Sequence, residues 1–434
     1  MSSEFNSGDV LYVDVTQTWR SDIQGGIQRV VRQIVSCWKN QDANISLIVF
    51  FEGNYHVLPK ENLSNFASLY TSRVPDGVRT QQSIYRFLLP IYLKIKKLLP
   101  FNIFKILLRS KPISHGRKFL VDSWFPEDAV VLDPENKKIL LLDLVTDDEQ
   151  IEYLRFITRN SNSELILFGY DCNPIVAPAF YPAEVVEVFP SYIAIANIAR
   201  KVWSISKTAE SDIKRFSKTI LQDEAFHVEW LPPSDFPKCN HPDIFEGKLE
   251  VEEYILMVSS FTPNKNHLGL LNAMQSLHTQ GVNIPILYLA GSYSWDIKEI
   301  DRKIDELALL GVTVRKFTNI DDCCIGKLYE NSTFSILPSF VEGFGLPIVE
   351  SLSFGKPVVT SDVTSTGELL SLPGTIGFSL TAAPSLDEVL KRLFTDSGFL
   401  EGLTTQAQKN RNNLGSWDEY SRALLKFATE GLQK

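Results

Sequence analysis

The chain of 434 residues is short of the residue types that staple small or metal-held folds. Its five cysteines, Cys37, Cys172, Cys239, Cys323 and Cys324, are an odd number with no C-x-x-C pair, which argues against a disulfide framework and a zinc site. A reducing cytoplasm is the compartment that fits such usage. No run approaches the roughly 18 uninterrupted apolar residues of a spanning helix, so any membrane contact is expected to be peripheral. The first eight residues carry no basic stretch followed by an apolar core, so no secretion signal is read there. An excess of positive charge is also missing. The balance of 43 basic against 52 acidic residues gives a net −9, which argues against a general nucleic-acid binder.

What the chain does have is apolar content for two packed cores, 44% hydrophobic and 11% aromatic. Short apolar runs at 10–15, 45–51, 118–122, 139–143, 164–169 and 201–205 alternate with helical segments, the pattern of a parallel sheet covered on both faces. A proline-rich polar stretch, 232–242, marks a boundary, and the pattern resumes with strands at 253–258, 284–290 and 312–317 and a helix at 268–279. The division expected is an N-terminal domain 1–238, a C-terminal domain 239–415 and a last helix 416–434. Ser416, with Glu419 three residues on, has a capping-box pattern.

The most informative stretch is Pro338-Ser-Phe-Val-Glu-Gly-Phe-Gly-Leu-Pro-Ile-Val-Glu350. Phe334-Ser-Ile-Leu337 before it reads as a buried strand, Pro347 suits the start of a helix, and Gly355 stops that helix before the strand Val358-Val-Thr360. Strand, glycine turn, helix and strand form a nucleotide-binding crossover. The free N–H groups of the helix N-terminus suit a diphosphate, and the glycines let the backbone approach it closely. Glu350, one turn inside the helix, can accept the hydroxyls of a ribose. Glu342, ahead of the turn, can bind a sugar or stabilise an oxocarbenium-like transition state.

These residues resemble the E-x7-E signature of the retaining glycosyltransferases of family four, and the likeness extends over most of the chain. The resemblance implies an α/β fold of the GT-B type, two Rossmann-like domains with parallel sheets facing a central cleft. It further implies that Glu342 contacts the donor sugar, Glu350 the ribose, and Gly343, Phe344, Gly345 and Leu346 the diphosphate. Gly25-Gly26, opening the helical pattern after the first strand, matches the family's first glycine loop near the donor phosphates.

Ser259-Ser-Phe-Thr-Pro-Asn-Lys-Asn-His267 resembles the family's Pro-Arg-Lys-Asn segment and gives Lys265 the donor diphosphate, as a catalytic cation. Asn264 and Ser259 stand where the family has arginines. Phe317-Thr-Asn-Ile320 resembles the base-receiving loop, with Thr318 and Ile320 as contacts. Thr364-Ser-Thr-Gly-Glu368 matches a small-residue loop followed by a Glu, and Glu368 is read as structural. On the acceptor side, Tyr170-Asp171 matches a His-Asp pair. A tyrosine with an unperturbed pKa near 10 is a poor base, so the leaving phosphate oxygen itself would take the acceptor proton. Asp171 stays a catalytic candidate. Ser206 matches a family serine and reads as a helix cap.

The resemblance thus implies a retaining, metal-independent hexosyltransferase with no cofactor, using a nucleoside diphosphate sugar; mannose or rhamnose is the sugar expected. The acceptor would be a growing, lipid-linked bacterial-type glycan. Two alternatives stay open, a nucleotide-sugar epimerase on the same scaffold and a non-catalytic subunit that binds a partner enzyme. Between Gly77 and Val121 there are ten basic residues and no acidic one. The part at 83–111 mixes a wide apolar face with Lys94, Lys96, Lys97 and Lys105, a composition suited to an anionic leaflet. The location implied is cytoplasmic and peripheral on the inner membrane, alongside other biosynthetic enzymes.

Overall fold

The computed structural model describes residues 10–20, 25–68, 126, 128–217, 221–237, 253–292, 297–318 and 320–431. The basic segment 83–111, the strand expected at 118–122 and most of the stretch next to the 238/239 boundary lie outside the described residues. The chain forms two compact units, residues 1–145 with 152–163, and residues 146–151 with 164–434.

In the first unit, strand β1 (Leu11–Asp14) lies between β2 (Ile45–Phe51) and β5 (Lys138–Leu141), parallel to both, with Leu11 opposite Ile45 and Lys138. The expectation of parallel strands alone needs one correction. β3 (Asn54–Val57) and β4 (Val130–Val131) add to β2 as antiparallel edges, because Glu52-Gly53 turns the chain straight back with both residues at positive φ. The helix Gly26–Asn40 buries Val30, Val31, Ile34, Val35 and Trp38, an i, i+4 spacing that puts one stripe against the sheet.

Two carboxylates are buried at the C-terminal end of these strands, Asp14 as the last residue of β1 and Asp143 just past β5. Asp14 accepts hydrogen bonds from the N–H (3.0 Å) and hydroxyl of Thr16 and from the Tyr55 hydroxyl (3.0 Å). Asp143 accepts from the Thr18 N–H (2.6 Å) and hydroxyl (2.9 Å). Burial, with Asp14 nearby, pushes the Asp143 carboxyl up to about 7.

The second unit contains the parallel strands β6 (Glu164–Gly169), β7 (Lys201–Ser204) and β8 (Phe226–Val228). It also holds a six-stranded parallel sheet built from β9 (Tyr254–Val258), β10 (Ile286–Gly291), β11 (Val314–Thr318), β12 (Ser335–Leu337), β13 (Val358–Ser361) and β14 (Thr375–Phe378). Its order is β11-β10-β9-β12-β13-β14, the 3-2-1-4-5-6 winding of a dinucleotide-type sheet. Every strand is covered, with Ile255, Met257, Leu287, Leu289, Ile336 and Val359 in one apolar layer and Tyr254, Leu256, Tyr288 and Leu328 in the other. The winding reverses between β9 and β12, so the loops leaving those two strands flank the crevice where such sheets take ligands.

The last helix, Trp417–Thr429, is capped by Ser416, whose Oγ accepts the Glu419 N–H at 3.3 Å. It docks on β7. The buried Lys201 ammonium donates to the carbonyls of Phe427 (2.6 Å) and Glu430, satisfying the helix C-terminus, and Trp203 Nε1 donates to the Tyr420 hydroxyl at 2.6 Å. No helix among the described residues is long and apolar enough to cross a membrane.

Candidate active site

The loops after β9 and β12 are stitched together by two asparagines. Asn264 lends its carbonyl to the Phe340 N–H (2.8 Å), and its side chain reaches the Val341 carbonyl at 3.4 Å. Asn266, at φ +59°, caps the helix His267–Thr279 through the Gly269 N–H (3.1 Å) and donates to the Pro338 carbonyl at 3.0 Å. The position where the family carries an arginine beside the lysine therefore holds loop geometry here instead of charge. The other such position, Ser259, faces Nε2 of the buried His267 at 3.2 Å. Burial, and then the Lys265 charge, hold that imidazole down at about 3, so it is neutral.

This stitching brings Lys265 to Glu342. The ammonium lies 2.5 Å from Glu342 Oε1, and the Ser339 hydroxyl donates to the same oxygen at 2.6 Å. Glu342 is 7% exposed, so its charge depends on these partners. Its main chain is held as well. The Glu342 N–H donates to Thr364 Oγ1 at 3.2 Å, and its carbonyl accepts from Ser365 Oγ at 2.9 Å. Thr364 has φ +47°, a strained conformation for a β-branched residue, at the residue whose hydroxyl supports Glu342.

Asp171, in the loop after β6, lies against the same turn. A Cβ at Gly343 would sit 2.4 Å from Asp171 Oδ2, so only glycine allows this approach. Asp171 accepts the Asn173 N–H at 2.9 Å. Its carboxyl is raised to about 6, by burial first and by the Glu342 charge in part, with Lys265 opposing. Tyr170 is buried, its ring 4.9 Å from Phe168. Gly345, at φ +102°, opens the helix Leu346–Ser353 with Pro347 in the first turn, as the sequence pattern predicts. At the start of that helix Pro347 has no N–H and Ile348 donates to the Gly345 carbonyl at 2.9 Å, so it is the Leu346 amide that lacks an intrahelical acceptor.

Glu350 lies within the helix and is 1% exposed. The Ser234 hydroxyl donates to Oε1 at 2.5 Å and the Tyr329 hydroxyl to Oε2 at 3.0 Å. The loop carrying Ser234 is anchored in turn, since Trp417 Nε1 donates to the Pro233 carbonyl at 2.8 Å. Thr318 ends β11, and Ile320 packs beside the layer containing Tyr254 and Cys323. Gly25 and Gly26 belong to the first unit, where they open the helix Gly26–Asn40. Gly25 has an ordinary φ of −78°, and a Cβ on Gly26 would meet nothing within 4 Å.

No local signal marks Ser234, Ser339 or Tyr329, because hydroxyl residues on loops and helices carry no spacing pattern, and Ser365 stands out only within Thr364-Ser-Thr-Gly-Glu368. Among the described residues one grouping of metal-type donors occurs, Asp321, Cys323 and Cys324. Asp321 spends Oδ1 on the Cys324 N–H (2.9 Å) and the Cys323 thiol (3.1 Å), as the cap of the helix Asp322–Asn331.

Comparison with known proteins bears on the family and the fold. Residues 243–409 match the family described as glycosyl transferases group 1. The O-antigen chain mannosyltransferase B of Escherichia coli is 27% identical over 213 residues, 48% of this chain and 55% of that protein. The serotype-specific mannosyltransferase WbdA of Escherichia coli is 24% identical over 207 residues, 45% of this chain and 25% of that protein. The chain thus spans about half the length of the first relative and a quarter of the second. Among solved structures, HepE of Anabaena in complex with UDP and glucose superposes with a TM-score of 0.59 at 13% identity, covering 96% of this chain and 99% of that one. WaaG, a glycosyltransferase involved in lipopolysaccharide biosynthesis, gives 0.55 at 13% identity, covering 97% of this chain and 100% of that one. The fold is the α/β, GT-B type expected from the sequence.

Proposed function

We propose that the chain, whose residues 243–409 match the family described as glycosyl transferases group 1, is a retaining hexosyltransferase in bacterial polysaccharide synthesis, with mannose as the sugar. The observation that carries this reading is the meeting of Lys265, Glu342 and Asp171 at the glycine turn that opens a helix N-terminus. The two relatives named as mannosyltransferases support the choice of sugar.

In this mechanism the nucleoside diphosphate lies on the amides of 343–346, with Glu350 accepting the ribose hydroxyls between Ser234 and Tyr329 and the base near Thr318 and Ile320. Lys265 has three N–H donors, so it can keep Glu342 and still donate to the diphosphate as charge builds on it. Lys265 and the helix N-terminus supply the electrophilic stabilisation, and the reaction needs no metal or cofactor. Glu342 holds the hexose and steadies positive charge at its anomeric carbon. The departing phosphate oxygen takes the acceptor proton on the same face, so configuration is retained. Tyr170 and Asp171 belong to the acceptor side.

Incubating the purified protein with a panel of sugar nucleotides and a membrane lipid extract, with products read by mass spectrometry, tests the reading. A hexose added to an extracted lipid is the expected result, and turnover without any acceptor would turn the assignment towards an epimerase. The acceptor is proposed to be lipid-linked, with the segment 83–111 resting on an anionic leaflet at the cytoplasmic face of the inner membrane. Replacing Lys94, Lys96, Lys97 and Lys105 by Glu is then expected to abolish sedimentation with anionic vesicles.

A further inference from the structure

The carboxylate of Glu368, on the helix Thr364–Leu369, reaches a second helix. It accepts the N–H groups of Lys207 (3.0 Å) and Thr208 (2.7 Å) and the Thr208 hydroxyl (2.6 Å), with Trp230 Nε1 at 3.4 Å. It therefore caps, from 160 residues away, the first turn of the helix Lys207–Ser217. Ser206, immediately before that helix, accepts the Ala209 N–H at 3.0 Å and donates to the Gly343 carbonyl at 2.9 Å. The short helix that carries Glu368, Thr364–Leu369, grips the Glu342 main chain at its other end through Thr364 and Ser365.

These contacts close a ring. It runs from Glu342-Gly343 through Ser206 to the helix Lys207–Ser217, across Glu368 to the helix Thr364–Leu369, and back to Glu342. Each link is a hydrogen bond with main chain as one partner, so a shift at one station moves the next. Asp171 stands inside the reach of this ring, because its carboxylate is fitted against the missing Cβ of Gly343.

We propose that Glu368 is a positioning residue for the transfer. By tying the helix Lys207–Ser217 to the helix Thr364–Leu369, it fixes Glu342 and Gly343 relative to Asp171. This rests on the transferase reading for its catalytic consequence, while the mechanical coupling stands apart from it. The nucleotide end of the site is held by other contacts, those of Ser234 and Tyr329 to Glu350, so loss of Glu368 acts on the sugar end.

Amide hydrogen exchange on the full chain without ligand reads the coupling. Glu368→Ala is expected to speed exchange both at 207–209 and at 342–346, with Glu368→Gln intermediate, since the amide oxygen can still accept from Thr208. Asp396→Ala serves as comparator, because it removes a cap from the helix Ser397–Asn410. Faster exchange confined to 207–209, or a change at 342–346 no greater than with Asp396→Ala, would overturn the proposal. In turnover assays, Glu368→Ala is expected to lower kcat about 10- to 100-fold with donor KM within about threefold, as a misplacement near 1 Å does. A change in KM alone would overturn the positioning role. A wild-type chain that turns over no sugar nucleotide would count against the transferase reading and leave the exchange result to decide the coupling.

Discussion

Lys265 Nζ lies 2.5 Å from Glu342 Oε1, with side chains only 18% and 9% exposed. The pair joins the loop after β9 to the loop after β12 across the point where the sheet reverses its winding. Removing the cation leaves a buried carboxylate with the Ser339 hydroxyl as its nearest support, and such half-pairs cost about 3 kcal/mol. Lys265→Met is expected to lose stability on that order in urea titrations, and the double variant Lys265→Met/Glu342→Leu to regain most of it. Glu342→Gln keeps the size but not the charge, and a loss of about 100-fold in kcat is expected with folding preserved.

Gly343→Ala tests the approach to Asp171. The new methyl meets Asp171 Oδ2 at 2.4 Å, so the loop or the carboxylate must move. Turnover is expected to fall about 100-fold while the melting temperature drops only modestly, because the clash sits between two loops and not in either apolar layer. Calorimetry beside a rate assay separates the two effects.

The pH response has a defined sign. The folded Asp143 carboxyl, raised to about 7, holds its proton more tightly than the unfolded carboxyl with a value of 3.8. Stability contributed by this group is therefore lost as pH rises from about 4 to 7 and is level above. Asp143→Asn is expected to flatten that limb, since the amide can accept the Thr18 N–H while the Thr18 hydroxyl reverses its role. Asp171, raised to about 6, gives the same sign over a narrower window. If the ionised form serves the acceptor side, kcat rises through pH 6 and Asp171→Asn removes that rise.

Glu350→Gln turns an amide N–H2 towards one of two hydroxyl donors, Ser234 or Tyr329. A loss of about 1 to 3 kcal/mol in stability is expected, with weaker binding of a nucleoside diphosphate in calorimetric titration. Ser234→Ala and Tyr329→Phe are expected to weaken binding less, since each removes one hydrogen bond and leaves the carboxylate.

The α/β class, the strands β6, β9 and β12 and the glycine turn were legible because apolar runs, Gly345 and Pro347 are local signals. The β3–β4 edge was not, since Asn54–Val57 mixes polar and apolar residues without a continuous apolar run and Val130–Val131 is two residues long. The sequence neighbours of Glu368 hold nothing that reveals a helix cap formed with residues 207 and 208.

Residue type and spacing alone established the two carboxylates eight positions apart, the glycines between them and the cation in a loop after a strand. These depend only on chain direction and backbone sterics, which act over a few residues. Folding in three dimensions decided which groups meet: that Lys265 neutralises Glu342, that Asp171 fits the hollow at Gly343, and that hydroxyls from distant loops hold Glu350. Such pairings follow from strand order and helix docking, and no local run of residues encodes a contact between positions 77 or 160 apart.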